Sequence, residues 1–542
     1  MKHKQVFLLV LIIFLAAFLR LFRVNEIPPG VNRDEASIGF TAYSLMQTGN
    51  DEYGKPFPLS FQSFGDWKLP LYIYTTIPFV KLFGLNELAV RLPSVIAGTL
   101  TVFLTYFLVK ELCKAYNRYI ALLSALLLAI SPWHIHLSRV ESESNVAVFL
   151  TVSALLLFLK GLKNTPVLLG LSFPIFALTY YTYHGNHVFT TLLLISLCAI
   201  YHKDIPRKLP VFVGAILSVV LIVFILSQTL LGADKTKISG ISIFGSPNVI
   251  HENIELPRNR SANPNEIMTR LRYNRVTYAV ITITKNYINS FSPNFLFVKG
   301  GGNAAHNIKN FGNLYLVELP FFYAGIILLL YSLFFRHSSL LIWWLLISPI
   351  AGMITKDAPH TNRMFAIFPL PPIITALGIM WVISVCNKRT ALQYFAVIVI
   401  LLAYSVNIAY YMNRYYNHFA IEEQANWGIG YKQLTDALFS DAYRSKKVIM
   451  ARPEYSPYIF VLFYSGFNPL RYQTTAVRYP PTSDDFVHVA AFDRFSFREI
   501  NWSSDPAGKN TVLVAETVSV PTDLRASPYT HRINAQWTLV SP

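Results

Sequence analysis

Charge is scarce in this chain. Only 14% of its 542 residues are Asp, Glu, Lys or Arg, whereas 53% are hydrophobic and 15% aromatic. Soluble domains carry roughly a quarter charged residues, so the composition excludes an ordinary water-soluble globular protein. Cysteine is nearly absent, with Cys113, Cys198 and Cys386 the only three. They fall in or near short loops, and the long polar segments have none, so no disulfide framework staples those segments. A basic domain is missing as well. The formal net charge is +17, but the cations are scattered through short loops, which argues for membrane orientation and against nucleic-acid binding. The chain also lacks internal repeats and low-complexity stretches, which removes solenoid architectures.

What it has instead is long apolar runs. Runs of about 20 such residues cross a bilayer, and about eleven candidates are present. They cover 6–22, 89–109, 119–137, 146–159, 167–181, 188–201, 211–231, 314–335, 340–355, 364–385 and 391–412. The stretch 71–83 is also apolar, but it is short and holds Pro78, so it is expected to be interfacial or re-entrant. Met1-Lys2-His3-Lys4 before the first run resembles a signal peptide. No small-x-small cleavage site follows, and Arg20 and Arg23 flank the far end, so a retained first span is expected. The expected fold class is mainly α and polytopic, a multi-pass protein of the cell membrane.

Loop charges set the expected orientation. With the N-terminus cytoplasmic, inner loops carry Lys110, Lys114, Arg118, Lys160, Lys163, Lys203, Arg207, Lys208, Arg336, Lys388 and Arg389, while the short outer turns carry few cations. The transmembrane module is then 1–412, with long outer loops 24–88 and 232–313, and 413–542 is a small extracytoplasmic α/β domain. In that tail, 421–440 reads as a helix and 447–451, 486–492, 511–515 and 533–539 as strands. Arg258, Arg260, Arg270, Arg272 and Arg275 crowd the second loop; they either attract anionic headgroups or solvate it, and solvation is the plainer reading.

Ionisable residues gather at the expected outer face: Asp34-Glu35, Asp66 and Lys68, His134, His136, Arg139, Glu141, Glu143, His184, His187, His360 and Arg363. A carboxylate pair beside a membrane suits proton abstraction or cation binding. Asn32 and Asp34 are also good helix caps, so one carboxylate of the pair can cap the helix expected over 36–46 while its neighbour reacts. Glu141 and Glu143 form a second acidic site, and they point to different sides of a helix. A divalent metal (Mg, Mn or Zn) is one option, with Asp34 and Glu143 as its ligands. Lys68, His360 and Arg363 are candidate phosphate ligands, since Arg offers a planar fork and Lys a point charge. Arg139, His184 and His187 are further candidates. The tyrosines of Tyr180-Tyr181-Thr182-Tyr183 are read more simply as an aromatic belt than as neighbours of a metal pair.

Taken in order, these residues resemble the GT-C fold glycosyltransferases that use polyprenyl-phosphate sugars, the group of protein O-mannosyltransferases (glycosyltransferase family 39) and aminoarabinose transferases. The resemblance rests on Arg20-Leu21, Asp34-Glu35-Ala36, Arg91-Leu92-Pro93-Ser94, Tyr181-Thr182-Tyr183-His184 and His360 with Arg363, and covers about the first 400 residues. It implies an inverting transferase of hexosyl or pentosyl groups, mannose being the default. A polyprenyl-phosphate-linked sugar is the donor, and a protein, glycan or lipid hydroxyl is the acceptor on the outer face. It implies Asp34 as base, with Glu35 beside it, and Lys68 and Arg363 against the leaving phosphate. The chain departs from the pattern at Lys68-Leu69-Pro70-Leu71, where many relatives have Lys-Pro-Pro-Leu, and at His187, where some carry Arg. No Trp-Trp-Asp follows Trp343-Trp344, so an asparagine-directed oligosaccharyltransferase is not expected. A secondary transporter or flippase is the competing class; it predicts paired repeats and mid-membrane charges.

Overall fold

The computed structural model describes residues 2–113, 119–163, 165–231, 240, 242–245, 248–332, 336–385, 390–482, 486–505 and 510–541. Cys386, Lys114, Arg118, Lys388 and Arg389, which figure in the expected topology, lie outside the described residues. The chain forms two compact units, one of residues 1–22 and 94–422 and one of 23–93 and 423–542. The division therefore does not follow the expected 412/413 boundary. The first long loop folds with the C-terminal segment, and the helix Glu87–Leu112 changes unit after Pro93.

The first unit is helical. Among the described residues, five helices are long and apolar enough to cross a membrane, a sixth counts if one bent pair is a single span, and five more apolar helices are shorter. Each expected span falls on one of these. The third is not continuous: Ile120–Ile130 and Pro132–Ser138 meet at 58°. Pro132 lacks the N–H that would continue the ladder and starts a new helix at its first position. In Leu209–Thr229 only 22% of the apolar window is buried within the protein. Apolar surface of that extent needs a bilayer to cover it.

The second unit joins a helix–hairpin–helix segment to an α/β domain. Its first part holds the helix Arg33–Thr48, a short hairpin of β1 (Phe61–Ser63) and β2 (Asp66–Lys68), and the helix Pro70–Phe83. Its second part is built on a seven-stranded sheet. The strands are β3 (Lys447–Met450), β4 (Val477–Arg478), β5 (Val489–Phe492), β6 (Phe495–Phe497), β7 (Thr511–Glu516), β8 (Thr530–Arg532) and β9 (Trp537–Val540), in the order β4-β5-β6-β3-β7-β9-β8. Central β3 runs parallel to β6 and β7, and the remaining pairings are antiparallel. Leu513, Ala515, Val520 and Val540 form a buried cluster on this sheet, each larger side chain contributing about 2 kcal/mol by leaving water. The helix expected over 421–440 is broken. Gly428 and Gly430 take φ of 52° and 88°, values that a helix cannot contain and that glycine reaches without strain; only Tyr431–Leu438 forms a regular segment after them.

The two parts of this unit are stitched by polar contacts. Tyr458 donates to the buried Glu52 carboxyl at 3.0 Å, Gln473 to the Ser44 hydroxyl at 3.1 Å, and the Val487 N–H to the Phe64 carbonyl at 2.8 Å. Burial pushes the Glu52 carboxyl up to about 7, against the pull of Arg478.

Candidate active site

The helix Arg33–Thr48 starts at Asn32, whose side chain accepts from the Glu35 N–H at 2.8 Å. The Glu35 carboxylate accepts in return from the Asn32 N–H at 3.3 Å. This reciprocal capping box fixes the first turn. Glu35 is fully buried, and Arg91 grips it bidentately, Nε to Oε1 at 2.9 Å and Nη2 to Oε2 at 2.8 Å. The other guanidinium donors go to the carbonyls of Val24 at 2.6 Å, Pro28 at 3.1 Å and Gly30. Two buried charges of opposite sign, with saturated donors, form a strut in which loss of either partner strands the other. On this geometry the Glu35 carboxylate is shut from solvent and engaged by the cap and by Arg91.

Asp34 differs in every respect. It sits one residue earlier, about 100° round the helix, and its side chain is 52% exposed. Lys68, the last residue of β2, places its ammonium 2.7 Å from Asp34 Oδ1 while being itself almost buried. The helix N-terminus and the ammonium both present positive potential to this carboxylate. The hairpin turn that aims Lys68 needs left-handed backbone at Phe64 and Gly65, and the Phe64 ring packs under Lys68 at 5.8 Å and Arg33 at 4.8 Å. The structure thus brings together Asp34 with Lys68 and Glu35 with Arg91.

The first unit carries the other candidates. Arg363 donates to the Thr355 hydroxyl at 2.7 Å and forms an ion pair with Asp357. His360 is buried; its Nδ1 accepts from the Arg363 N–H at 3.3 Å, and its Nε2 lies 3.6 Å from Asp357. Burial, then the charge of Arg363, pushes the imidazole down to about 4. At neutral pH His360 is therefore an uncharged hydrogen-bonding group, and the phosphate-binding charge expected of the pair rests on Arg363. Burial works to raise the Asp357 carboxyl, but the hydrogen bond and charge of Arg363 hold it below its usual value. Glu143 opens the helix Glu143–Gly161, capped by Ser142, and the Ser144 hydroxyl donates to Asn362. Glu141 and Glu143 are both half-buried.

A cavity of about 760 Å³ opens beside His360 and Asp357, lined also by Asn289, Ser292, Asn294 and the Gly300-Gly301-Gly302 triplet. Sequence reading missed Asp357 and this asparagine-rich wall. The glycine triplet was the available signal: a side chain on Gly301 would meet the Thr361 hydroxyl at 2.7 Å, so the two loops close on each other only with glycine there.

Three of the expected outer-face candidates are interior to the protein. His134, His136 and Arg139 are buried. Arg20 donates to His134 Nδ1 at 2.7 Å and to the Ala129 carbonyl at 3.1 Å. Arg139 donates to the Leu19 carbonyl at 2.9 Å and the Tyr415 hydroxyl at 3.2 Å. These contacts tie the first helix to the bent pair. His187 donates to the Tyr180 carbonyl at 2.9 Å and stacks on its ring, with His184 at 5.4 Å. Among the described residues, no three His, Cys, Asp or Glu side chains converge so as to hold a metal ion.

Residues 68–229 match the family model of dolichyl-phosphate-mannose-protein mannosyltransferases. No curated protein sequence matches the chain. Among solved structures, it is similar to ArnT from Cupriavidus metallidurans bound to undecaprenyl phosphate, with TM-score 0.52 and 11% identity over 100% of this chain and 98% of that one. The apo state of the same protein gives 0.51 and 12%, over 99% and 98%. It is also similar to the Archaeoglobus fulgidus oligosaccharyltransferase in complex with zinc and sulfate, with TM-score 0.51 and 14% identity over 84% of this chain; the match spans only 61% of that larger protein. At such identities the likeness is one of fold. Together with the family model, it bears out the resemblance and the fold class read from the sequence.

Proposed function

We propose that this chain, a multi-pass membrane protein with the GT-C glycosyltransferase fold, moves one sugar from a polyprenyl-phosphate donor to an acceptor hydroxyl at the outer face of the membrane. The observation that carries the proposal is the division of labour between adjacent carboxylates. Glu35 is consumed by the cap and by Arg91, while Asp34 is presented to solvent on a fixed turn with a cation beside it. That is what a general base needs: access, a fixed direction and a rigid mount. Asp34 takes the proton from the acceptor oxygen, which attacks the anomeric carbon. The bond from that carbon to the phosphate oxygen breaks, and polyprenyl phosphate leaves with the electron pair. One displacement inverts the anomeric centre.

Lys68 holds Asp34 in place. Arg363, with neutral His360 as a hydrogen-bonding neighbour, is the proposed partner of the leaving phosphate, where negative charge grows in the transition state. The family model's description favours mannose as the sugar and a protein as the acceptor, and the undecaprenyl phosphate bound by ArnT favours a donor of that lipid class. The N-terminus is proposed to be cytoplasmic and the α/β domain extracytoplasmic. A transporter or flippase has less support, because the buried cations Arg20, Arg91 and Arg139 are each engaged by backbone carbonyls and by protein side chains.

The test uses purified protein and a polyprenyl-phosphate hexose with a panel of hydroxyl acceptors. Asp34→Asn is expected to lose transfer by at least about a hundredfold while unfolding at the wild-type temperature. Full transfer by Asp34→Asn would remove the base and the mechanism with it.

A further inference from the structure

The segment after the helix Leu209–Leu231 is unusually basic. Between residues 256 and 290 it holds Arg258, Arg260, Arg270, Arg272, Arg275 and Lys285 against Glu266 as its one carboxylate. It forms two short helices, Leu256–Asn259 and Ile267–Arg272, and a longer one, Arg275–Ser290, capped by the Asn274 side chain on the Val276 and Thr277 N–H groups.

The longer helix is amphipathic the wrong way round for water. Its buried residues are Asn286 and Ser290, both polar. Val276, Val280, Ile281 and Ile288 face outward, as do Ile267, Met268 and Leu271 of the helix before it, all between 59% and 75% exposed. The polar side of the helix is fixed to the first unit. Asn286 donates to the Met353 carbonyl at 2.9 Å, and the Tyr287 hydroxyl to the Leu346 carbonyl at 2.9 Å. Met353 ends the apolar helix His337–Met353, and Leu346 lies about two turns before that end. The exposed apolar arc is therefore held at the mouth of a membrane helix, flanked by exposed Arg270, Arg272, Arg275 and Lys285.

We propose that residues 267–288 are a docking surface for anionic phospholipid headgroups of the leaflet at that end of the helices. Apolar side chains turned away from the protein need a hydrocarbon neighbour, and an interfacial helix sinks such a face to the acyl boundary. The cations then sit at headgroup depth, where each adds roughly fivefold to affinity for an anionic surface. With one carboxylate among six cations, the segment has little internal means of neutralising this charge, so lipid phosphate is the complementary partner. The outward Val and Ile favour this reading over that of a simply solvated loop. This surface is independent of the proposed transfer chemistry.

The test is hydrogen exchange on full-length protein in nanodiscs of phosphatidylcholine alone and of phosphatidylcholine with phosphatidylglycerol, one protein per disc. Peptides covering 267–288 are expected to exchange at least about tenfold more slowly in the anionic discs. The triple variant Arg270→Gln, Arg272→Gln, Arg275→Gln should abolish that difference while leaving peptides of Glu143–Gly161 as protected as in wild type. Equal exchange of the wild type in both discs, or a difference that survives in the triple variant, overturns the proposal. Should the variant exchange fast throughout, wild type in high salt replaces it: loss of the difference supports the proposal, and persistence overturns it.

Discussion

Replacing Glu35 by Gln separates a strut from a catalyst. In the wild type both carboxylate oxygens accept from Arg91, at 2.9 and 2.8 Å, in a site without solvent. Gln keeps one acceptor and turns an NH₂ group toward the guanidinium, so one donor faces another and a full positive charge remains buried without its counter-ion. Removing one partner of such a pair costs about 3–5 kcal/mol, and weakening the return bond to the Asn32 N–H adds a few tenths more. For a unit of this size each kcal/mol lowers the midpoint by about 2–4 °C, so a fall on the order of 10 °C is expected. The assay pairs tryptophan-monitored thermal unfolding in detergent with transfer rate per folded molecule. Glu35→Gln should unfold early yet retain transfer at low temperature, whereas Asp34→Asn should do the reverse. A Glu35→Gln protein that unfolds with wild type but has lost transfer would refute the strut and return Glu35 to the chemistry.

Two further outcomes follow. Glu52 holds its proton to about pH 7 when folded, against an ordinary value of 4.5, so the folded unit binds more protons between those values; stability is full below pH 4.5 and is lost as pH rises through 7, by on the order of 3 kcal/mol. Glu52→Gln should flatten that dependence, read from unfolding between pH 5 and 8, and an unchanged slope would place its origin elsewhere. Lys68→Met should lower kcat roughly tenfold or more by releasing Asp34, with little change in donor KM, whereas a raised KM with kcat retained would assign Lys68 to the phosphate.

Much of the membrane architecture was legible because hydrophobic run length is a local property, and the helices fall where the runs do. Local breaks were legible too. Pro132 and the glycines at 428 and 430 stand in plain view, and reading straight through them produced the expected unbroken span and helix. The acidic pair was half legible. Its local pattern announced a cap, but the choice between Asp34 and Glu35 depends on Arg91, 56 residues away, and no periodicity encodes that distance. His134 and Arg139 were read only as members of an outer-face group, since nothing local to them shows what covers them. Their burial depends on Arg20 and Tyr415 reaching them from remote helices.

The second unit is made from segments far apart in the chain, residues 23–93 and 423–542. Glu52 meets Tyr458 across 406 residues of chain, and Ser44 meets Gln473 across 429. At roughly 5–20 residues per second, the ribosome needs on the order of 20–80 s to supply those partners. Throughout that interval the loop bearing Asp34 is already made but lacks the scaffold that completes its fold. A nascent chain halted upstream of Tyr458 would therefore hold the Asp34 turn without the partners that pack against its loop.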